Sequence, residues 1–185
     1  ELARAKAEPV DMAELLETVI SIQNEVRKPD VAECILRIEN PPAGAPQTKP
    51  YLVLGHDTRL GQVARNLVDN AVSFSPGDKP VEVILRRGQR TIEFRVEDSG
   101  PGIDHSISEK IFERFYTDRP EGSFGKNSGL GLSITKQIVE AYGGKIYAAN
   151  RQGEADETGV RPVLGARFTV RLPALPAGWR PSKDD

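Results

Sequence analysis

The stretch Val96 to Asp104, VEDSGPGID, constrains this chain most: an alternating strand runs straight into an aspartate followed by two glycines one residue apart. Val81 to Arg87 and Thr91 to Glu97 alternate with period two on either side of the turn RRGQR, which predicts a hairpin whose second strand delivers Asp98. Glycine lacks a Cβ and reaches positive φ, so Gly100 and Gly102 set bare backbone beside one fixed carboxylate and let a ligand approach closely. A carboxylate accepts hydrogen bonds and repels phosphate, so its natural partner is a donor such as the exocyclic amine of a purine. Taken alone the pattern is also that of an ordinary acidic turn, because Asp and Gly are turn residues anyway.

Ahead of the hairpin, residues 1 to 9 (ELARAKAEP) are good helix formers that stop at Pro9, as at the end of a helix begun further upstream. Asp11 with Glu14 has capping-box spacing, and Met12, Leu15, Leu16, Val19, Ile22 and Val26 form one apolar stripe of an amphipathic helix. Alternation from Val31 through Ile38, a Pro/Gly-rich stretch and a short apolar run from Tyr51 to Leu54 predict two strands joined by a long loop. Asp57 is placed to cap the next helix, whose inward stripe is Leu60, Val63, Ala64, Leu67, Ala71 and Phe74. On an adjacent face Asn66 and Asn70 stand one turn apart, so their amides can coordinate one hard cation together or make ordinary packing hydrogen bonds.

After the glycine turn a short helix is expected over Ser108 to Phe115. Thr117 to Ser128 then has charge, Pro and Gly with almost no apolar content, which predicts mobility unless a ligand orders it. In SGLGLSITKQIVEAYGG, Gly129 and Gly131 open a helix with Leu130, Ile134 and Ile138 inward and Gly143-Gly144 as its stop. Free backbone N–H groups at such a start suit an anion, although close helix packing asks for the same glycines. Strands over Lys145 to Asn150 and Ala166 to Leu172 follow, then a Pro-rich tail. The expected architecture is α+β, a two-layer sandwich in which a mixed sheet of about five strands carries three longer helices on one face.

Composition removes several function classes. With 25 Lys plus Arg against 27 Asp plus Glu the net charge is −2, which argues against a protein that neutralises nucleic-acid phosphates. No apolar run approaches the roughly 20 residues needed to cross a bilayer. One cysteine, Cys34, allows no internal disulfide, and with His56 and His105 it is too little for a zinc site. Neither GxGxxG nor GxxxxGK[ST] occurs.

The order NLVDNA, DSGPG, KIFERFY, a glycine-flanked loop and SGLGLSI resembles the catalytic ATP-binding domain of bacterial sensor histidine kinases, over about residues 10 to 173. Asparagine box, first glycine box, phenylalanine box and second glycine box follow one another there in this sequence, and NSGLGLSI looks like the acid- and host-responsive kinases of alphaproteobacteria. The resemblance implies the sandwich shared with gyrase-type ATPases, and ATP with Mg²⁺ as cofactors. Asp98 would then bind the adenine amine, with Gly100, Gly102 and Ile103 shaping the pocket. Asn66 and Asn70 would act as the catalytic, metal-holding pair, and Gly129, Leu130, Gly131 and Leu132 would meet the phosphate chain. Thr117 to Ser128 would be a lid, with Phe112, Phe115 and Tyr116 at its near end and Arg119 and Lys126 as its cations. Where the family often has Lys then Tyr after the asparagine box, Ser73 and Phe74 stand here; Phe74 is counted with the nucleotide pocket, and a phosphate contact is lost or moved.

Neither His56 nor His105 has the acceptor context of a histidine followed by Glu and a basic residue. The resemblance therefore implies a partner, an upstream dimerisation and histidine-phosphotransfer domain ending near residues 1 to 9, and a cognate response regulator beyond it. Residues 174 to 185 would be a flexible tail. The fragment would be a monomer without direct membrane contact, cut from a dimeric receptor of the inner membrane and lying on its cytoplasmic side. Two rivals keep the fold: a gyrase-, mismatch-repair- or chaperone-type ATPase or serine kinase, and a module that binds nucleotide without transferring phosphate. The first expects a glutamate base where Asn66 stands, and an amide cannot take a proton from water.

Overall fold

The computed structural model describes residues 6–104, 110–113 and 131–179. Its hairpin is β4 (Val81–Arg87) and β5 (Thr91–Glu97), with the bounds that the alternation predicts. They lie in a five-stranded sheet of order β2-β4-β5-β7-β6, where β2 is Cys34–Ile38, β6 is Lys145–Gln152 and β7 is Val163–Pro173. The sheet is mixed: β2 runs parallel to β4, and every other neighbour pair is antiparallel. Cys34 is buried, and burial, with the charges of Asp69 and Glu33, pushes its thiol up to about 12, so it is a packing residue and no nucleophile.

Three helices among the described residues cover one face: α1 (Met12–Glu25), α2 (Asp57–Phe74) and α3 (Gly131–Ala141). Met12, Leu16, Leu60, Val63, Leu67 and Val139 from these helices meet Val83, Leu85, Phe94, Val96, Phe168 and Val170 from the sheet in one core. Full burial of a side chain such as Leu67 contributes roughly 2 kcal/mol. The opposite face is a lattice of ion pairs. Glu93 is 3% exposed and pairs with Arg86, Arg95 and Arg171 at 2.8, 2.9 and 2.8 Å, while Glu97 pairs with Arg151 and Arg167.

Several expectations are corrected. Glu8–Asp11 is a strand, β1, where a helix running to Pro9 was expected, and it pairs antiparallel with β3 (Leu52–Gly55) in a separate two-stranded sheet. The second of the two expected strands thus belongs to this small sheet, not to the one that holds β2. Asp11 caps α1 through the N–H of Ala13 at 3.0 Å, but Glu14 turns to Lys49 at 3.3 Å instead of closing a capping box. Asp57 is the first residue of α2; the N-cap position is taken by His56. Ile22, Val26 and Phe74, expected inward, are exposed at the C-terminal ends of their stripes. The tail begins later than Pro173: Ala174 donates to the Arg90 carbonyl at 3.0 Å and Leu175 to that of Leu52 at 2.8 Å. Of the short helix expected over Ser108 to Phe115, Lys110–Phe112 is described and forms a 3₁₀ turn.

Candidate functional site

Residue 98 follows the last residue of β5 and keeps its inward parity, so the strand's twofold alternation aims Asp98 at the helix side. It is 2% exposed. Its Oδ1 accepts from the N–H groups of Gly100 and Ala166, each at 2.9 Å, and both of the carboxylate's hydrogen bonds from described residues fall on that one oxygen. Burial pushes its pKa above the ordinary aspartate value, opposed by the two N–H bonds and by the charge of Arg151. The main chain is held as firmly: Asp98 N–H donates to Ala166 at 3.0 Å, and Arg151 Nη1 donates to the Asp98 carbonyl at 2.6 Å.

The glycines are there for close approach. A Cβ on Gly100 would lie 2.7 Å from the Phe74 carbonyl, so the turn presses against the end of α2, where Ser75 Oγ also accepts the Ser99 N–H at 3.0 Å. Gly102 has φ +84°, and its Cβ would meet Val163 at 2.5 Å and Asn150 Oδ1 at 2.8 Å. Ile103 packs against the core beyond it.

Docking the turn on the end of α2 puts the asparagines in line with it. Asn70 and Asn66 lie about 6 and 12 Å back along the helix from Phe74, from the 1.5 Å rise per residue. Asn66 is half-buried and donates from Nδ2 to the carbonyl of Gly131 at 3.2 Å and to Thr135 Oγ1 at 3.4 Å, so it ties α2 to the start of α3 as described. Its Oδ1 and the half-buried amide of Asn70 are hard oxygen donors of the kind Mg²⁺ takes, and two protein oxygens leave the rest of an octahedral shell to water and phosphate. No cluster of three or more His, Cys, Asp or Glu exists among the described residues that would hold a metal by itself. Gly131 opens α3 beside Asn66, and Leu132 packs on the core below.

The structure therefore joins Asp98, Gly100, Gly102, Ile103, Phe74, Asn66, Asn70, Gly131 and Leu132 around one line from the end of β5 to the start of α3. Tyr116, Arg119, Lys126, Gly129 and Leu130, with Phe115, His105 and the segment Thr117 to Ser128, lie outside the described residues. His56 is far from an acceptor's setting, with Nδ1 2.6 Å from the Tyr142 hydroxyl.

Two residues of the site were not singled out in the sequence. Gly165 has φ +148°, and a Cβ there would sit 2.0 Å from the Asp98 carbonyl oxygen. Asn150 makes two 2.7 Å hydrogen bonds to the backbone of Ile103. A glycine inside an otherwise regular strand marks close backbone approach, and that cue was available for Gly165. Asn150 looked like any strand-end polar residue.

The sequence profile of the family "Histidine kinase-, DNA gyrase B-, and HSP90-like ATPase" matches residues 55–176. The chain is 43% identical over 182 residues to the sensor protein ChvG of Rhizobium meliloti (strain 1021), covering 95% of this chain and 30% of that protein. It is 44% identical to ChvG of Agrobacterium fabrum, of which it covers 28%. The chain thus spans less than a third of the length of these relatives. Among solved structures it resembles the mycobacterial sensor histidine kinase MprB with a TM-score of 0.72 at 29% identity, over 92% of this chain and 99% of that one. Full-length ShkA in complex with AMPPNP gives a TM-score of 0.67 at 25% identity, over 92% of this chain and 32% of that one. The α+β sandwich, the likeness to sensor histidine kinases and the alphaproteobacterial neighbourhood expected from the sequence all stand.

Proposed function

This chain belongs to the histidine kinase-, DNA gyrase B- and HSP90-like ATPase family, and from that premise we propose that it is the ATP-binding catalytic domain of a sensor histidine kinase, passing the γ-phosphoryl group of ATP to a histidine outside residues 1–185. The observation that carries this reading is the buried Asp98 carboxylate, whose Oδ1 is occupied by two backbone N–H groups. Oδ2 is left to accept the adenine amine, beside a turn that Gly100 and Gly102 let pack closely on Phe74, Val163 and Asn150. A buried acceptor without its donor is costly, so such a site favours purines that offer an amine over those that do not. The AMPPNP bound to ShkA supports an adenine nucleotide here.

Asn66 and Asn70 would hold Mg²⁺, which when bound neutralises phosphate charge. The chain's own part is positioning: Asp98 would orient the purine, and Asn66, bonded to Gly131 and Thr135, would hold α3 so that its N-terminal dipole favours the phosphates. Phosphoryl transfer asks for little more than such alignment and charge stabilisation. A hydrolase reading is disfavoured by Asn66 itself, since an amide is no general base for water. His56, engaged with Tyr142, is a poor acceptor. The acceptor histidine belongs to a separate dimerisation domain, and the phosphoryl group goes on to a response-regulator aspartate. The domain works on the cytoplasmic side of a membrane receptor; no helix among the described residues is long and apolar enough to cross a membrane.

The test mixes radiolabelled ATP, this chain and the separately purified upstream segment of its own kinase. Label is expected on the upstream segment alone, at a rate that rises with the concentration of either part, because tethering no longer supplies a high effective concentration. Label on His56 or His105 of this chain overturns the division of labour, and label on neither protein while ATP is bound turns the reading into a nucleotide-gated module.

A further inference from the structure

The turn that carries the nucleotide reading has no ladder of its own, so something must hold its shape, and we infer that Asn150 is a positioning residue for the purine half of the site. The inference rests on the nucleotide reading of Asp98. Asn150 Oδ1 accepts from the Ile103 N–H at 2.7 Å, and its Nδ2 donates to the Ile103 carbonyl at 2.7 Å, across 47 residues of sequence. A side-chain amide has the donor and acceptor spacing of a peptide group, so this one side chain stands in for the missing neighbouring strand and satisfies both polar groups of a half-buried residue. The contact has no slack: the space where Gly102 would carry a Cβ lies 2.8 Å from Asn150 Oδ1, and Gly102 itself is left-handed at φ +84°.

The next residue grips the other end. Arg151 Nη1 donates to the Asp98 carbonyl at 2.6 Å while its Nε pairs with Glu97 at 3.1 Å. Successive residues at the end of β6 therefore clamp the turn at Asp98 and at Ile103, from opposite faces of the strand. Between the clamps lie Ser99, Gly100, Pro101 and Gly102, two of them glycines with the largest backbone freedom to lose when a ligand orders them. Asn150 removes that freedom before the nucleotide arrives. Among the described residues both side-chain hydrogen bonds of Asn150 go to Ile103 and none to α3 or the asparagine face of α2, so its effect is expected on the purine.

Two variants test this in the chain as it stands, Asn150→Ala and Asn150→Asp, with a non-hydrolysable ATP analogue, adenosine and inorganic tripolyphosphate as probes. Asn150→Ala is expected to weaken the analogue and adenosine by the same roughly 10- to 30-fold, the worth of one to two net hydrogen bonds, and to leave tripolyphosphate unchanged in competition. Asn150→Asp keeps the acceptor and lacks the donor until it is protonated. Its affinity relative to wild type is therefore expected to recover as pH falls from about 6 to about 4, the donor returning with the proton. Unchanged adenosine affinity in Asn150→Ala while wild type binds overturns the inference and leaves the nucleotide reading standing. An equal loss for tripolyphosphate also overturns it, since that marks general damage. Wild-type protein that binds neither adenosine nor the analogue removes the nucleotide reading itself, and the inference with it.

Discussion

Replacing Asp98 by asparagine separates what the carboxylate does for the fold from what it does for a ligand. Asn keeps an oxygen at the Oδ1 position, so both 2.9 Å hydrogen bonds from Gly100 and Ala166 survive. What changes is Oδ2, which becomes an NH₂ group facing the site. For the fold the sign follows from the raised pKa. Burial disfavours the ionised form, so Asp98 contributes its stability below the ordinary aspartate value and loses it as pH rises through the folded value. At neutral pH the charge is a net cost, and Asp98→Asn is expected to melt at a higher temperature than wild type, the difference closing below about pH 4. For the ligand the change is adverse twice: a charge-assisted acceptor worth about 1.5–3 kcal/mol is lost, and the new donor meets the donor amine of adenine. A total of about 2–4 kcal/mol is a roughly 30- to 1,000-fold loss of affinity. Circular dichroism melts at neutral and acid pH, with calorimetry against an ATP analogue, read both halves. A variant more stable than wild type that binds the analogue equally well refutes the adenine assignment, and one that melts lower at neutral pH refutes the burial argument.

Asn70→Ala is expected to weaken nucleotide binding several-fold with Mg²⁺ present and little after EDTA, because the amide oxygen is proposed as a metal ligand; equal loss in both titrations favours a packing role. Glu93→Gln bears on stability alone. Burial pushes the Glu93 pKa up, but hydrogen bonds from Arg171 and Arg86 with the charges of Arg86 and Arg95 outweigh it and hold it below the usual glutamate value. A depressed pKa means stability present above the ordinary value and lost as pH falls through the folded one. The variant should therefore lose about 2 kcal/mol at pH 7 by urea denaturation, discounted for partly exposed arginines, and almost nothing at about pH 3. A cost of the same size at both pH values would show that the charge is not what holds the lattice.

Local signals determined much of this protein. Period-two alternation set the bounds of the hairpin from Val81 to Glu97, the helical stripe from Leu60 to Ala71 located α2, and Asp98 with its two glycines announced a rigid turn beside a carboxylate. Each depends on neighbours within one strand or one helical turn, where side-chain spacing and glycine's backbone freedom act directly. Tertiary structure decided what joins across tens of residues. Nothing in EPVD says that it will pair with LVLG rather than extend a helix, since the choice comes from which surfaces bury together. Glu93 and Glu97 occupy the outward positions of β5 and read as solvated charges, yet arginines from β4, β5, β6 and β7 close over them. Asp98 is eloquent in sequence, whereas Asn150 and Gly165, which hold its turn, are set apart from it by 52 and 67 positions; Asn150 carries no local pattern for that task, and Gly165 only that of a glycine inside a strand. A side chain's own chemistry can be read from its type and spacing, but which backbone it will brace is settled only when distant strands meet.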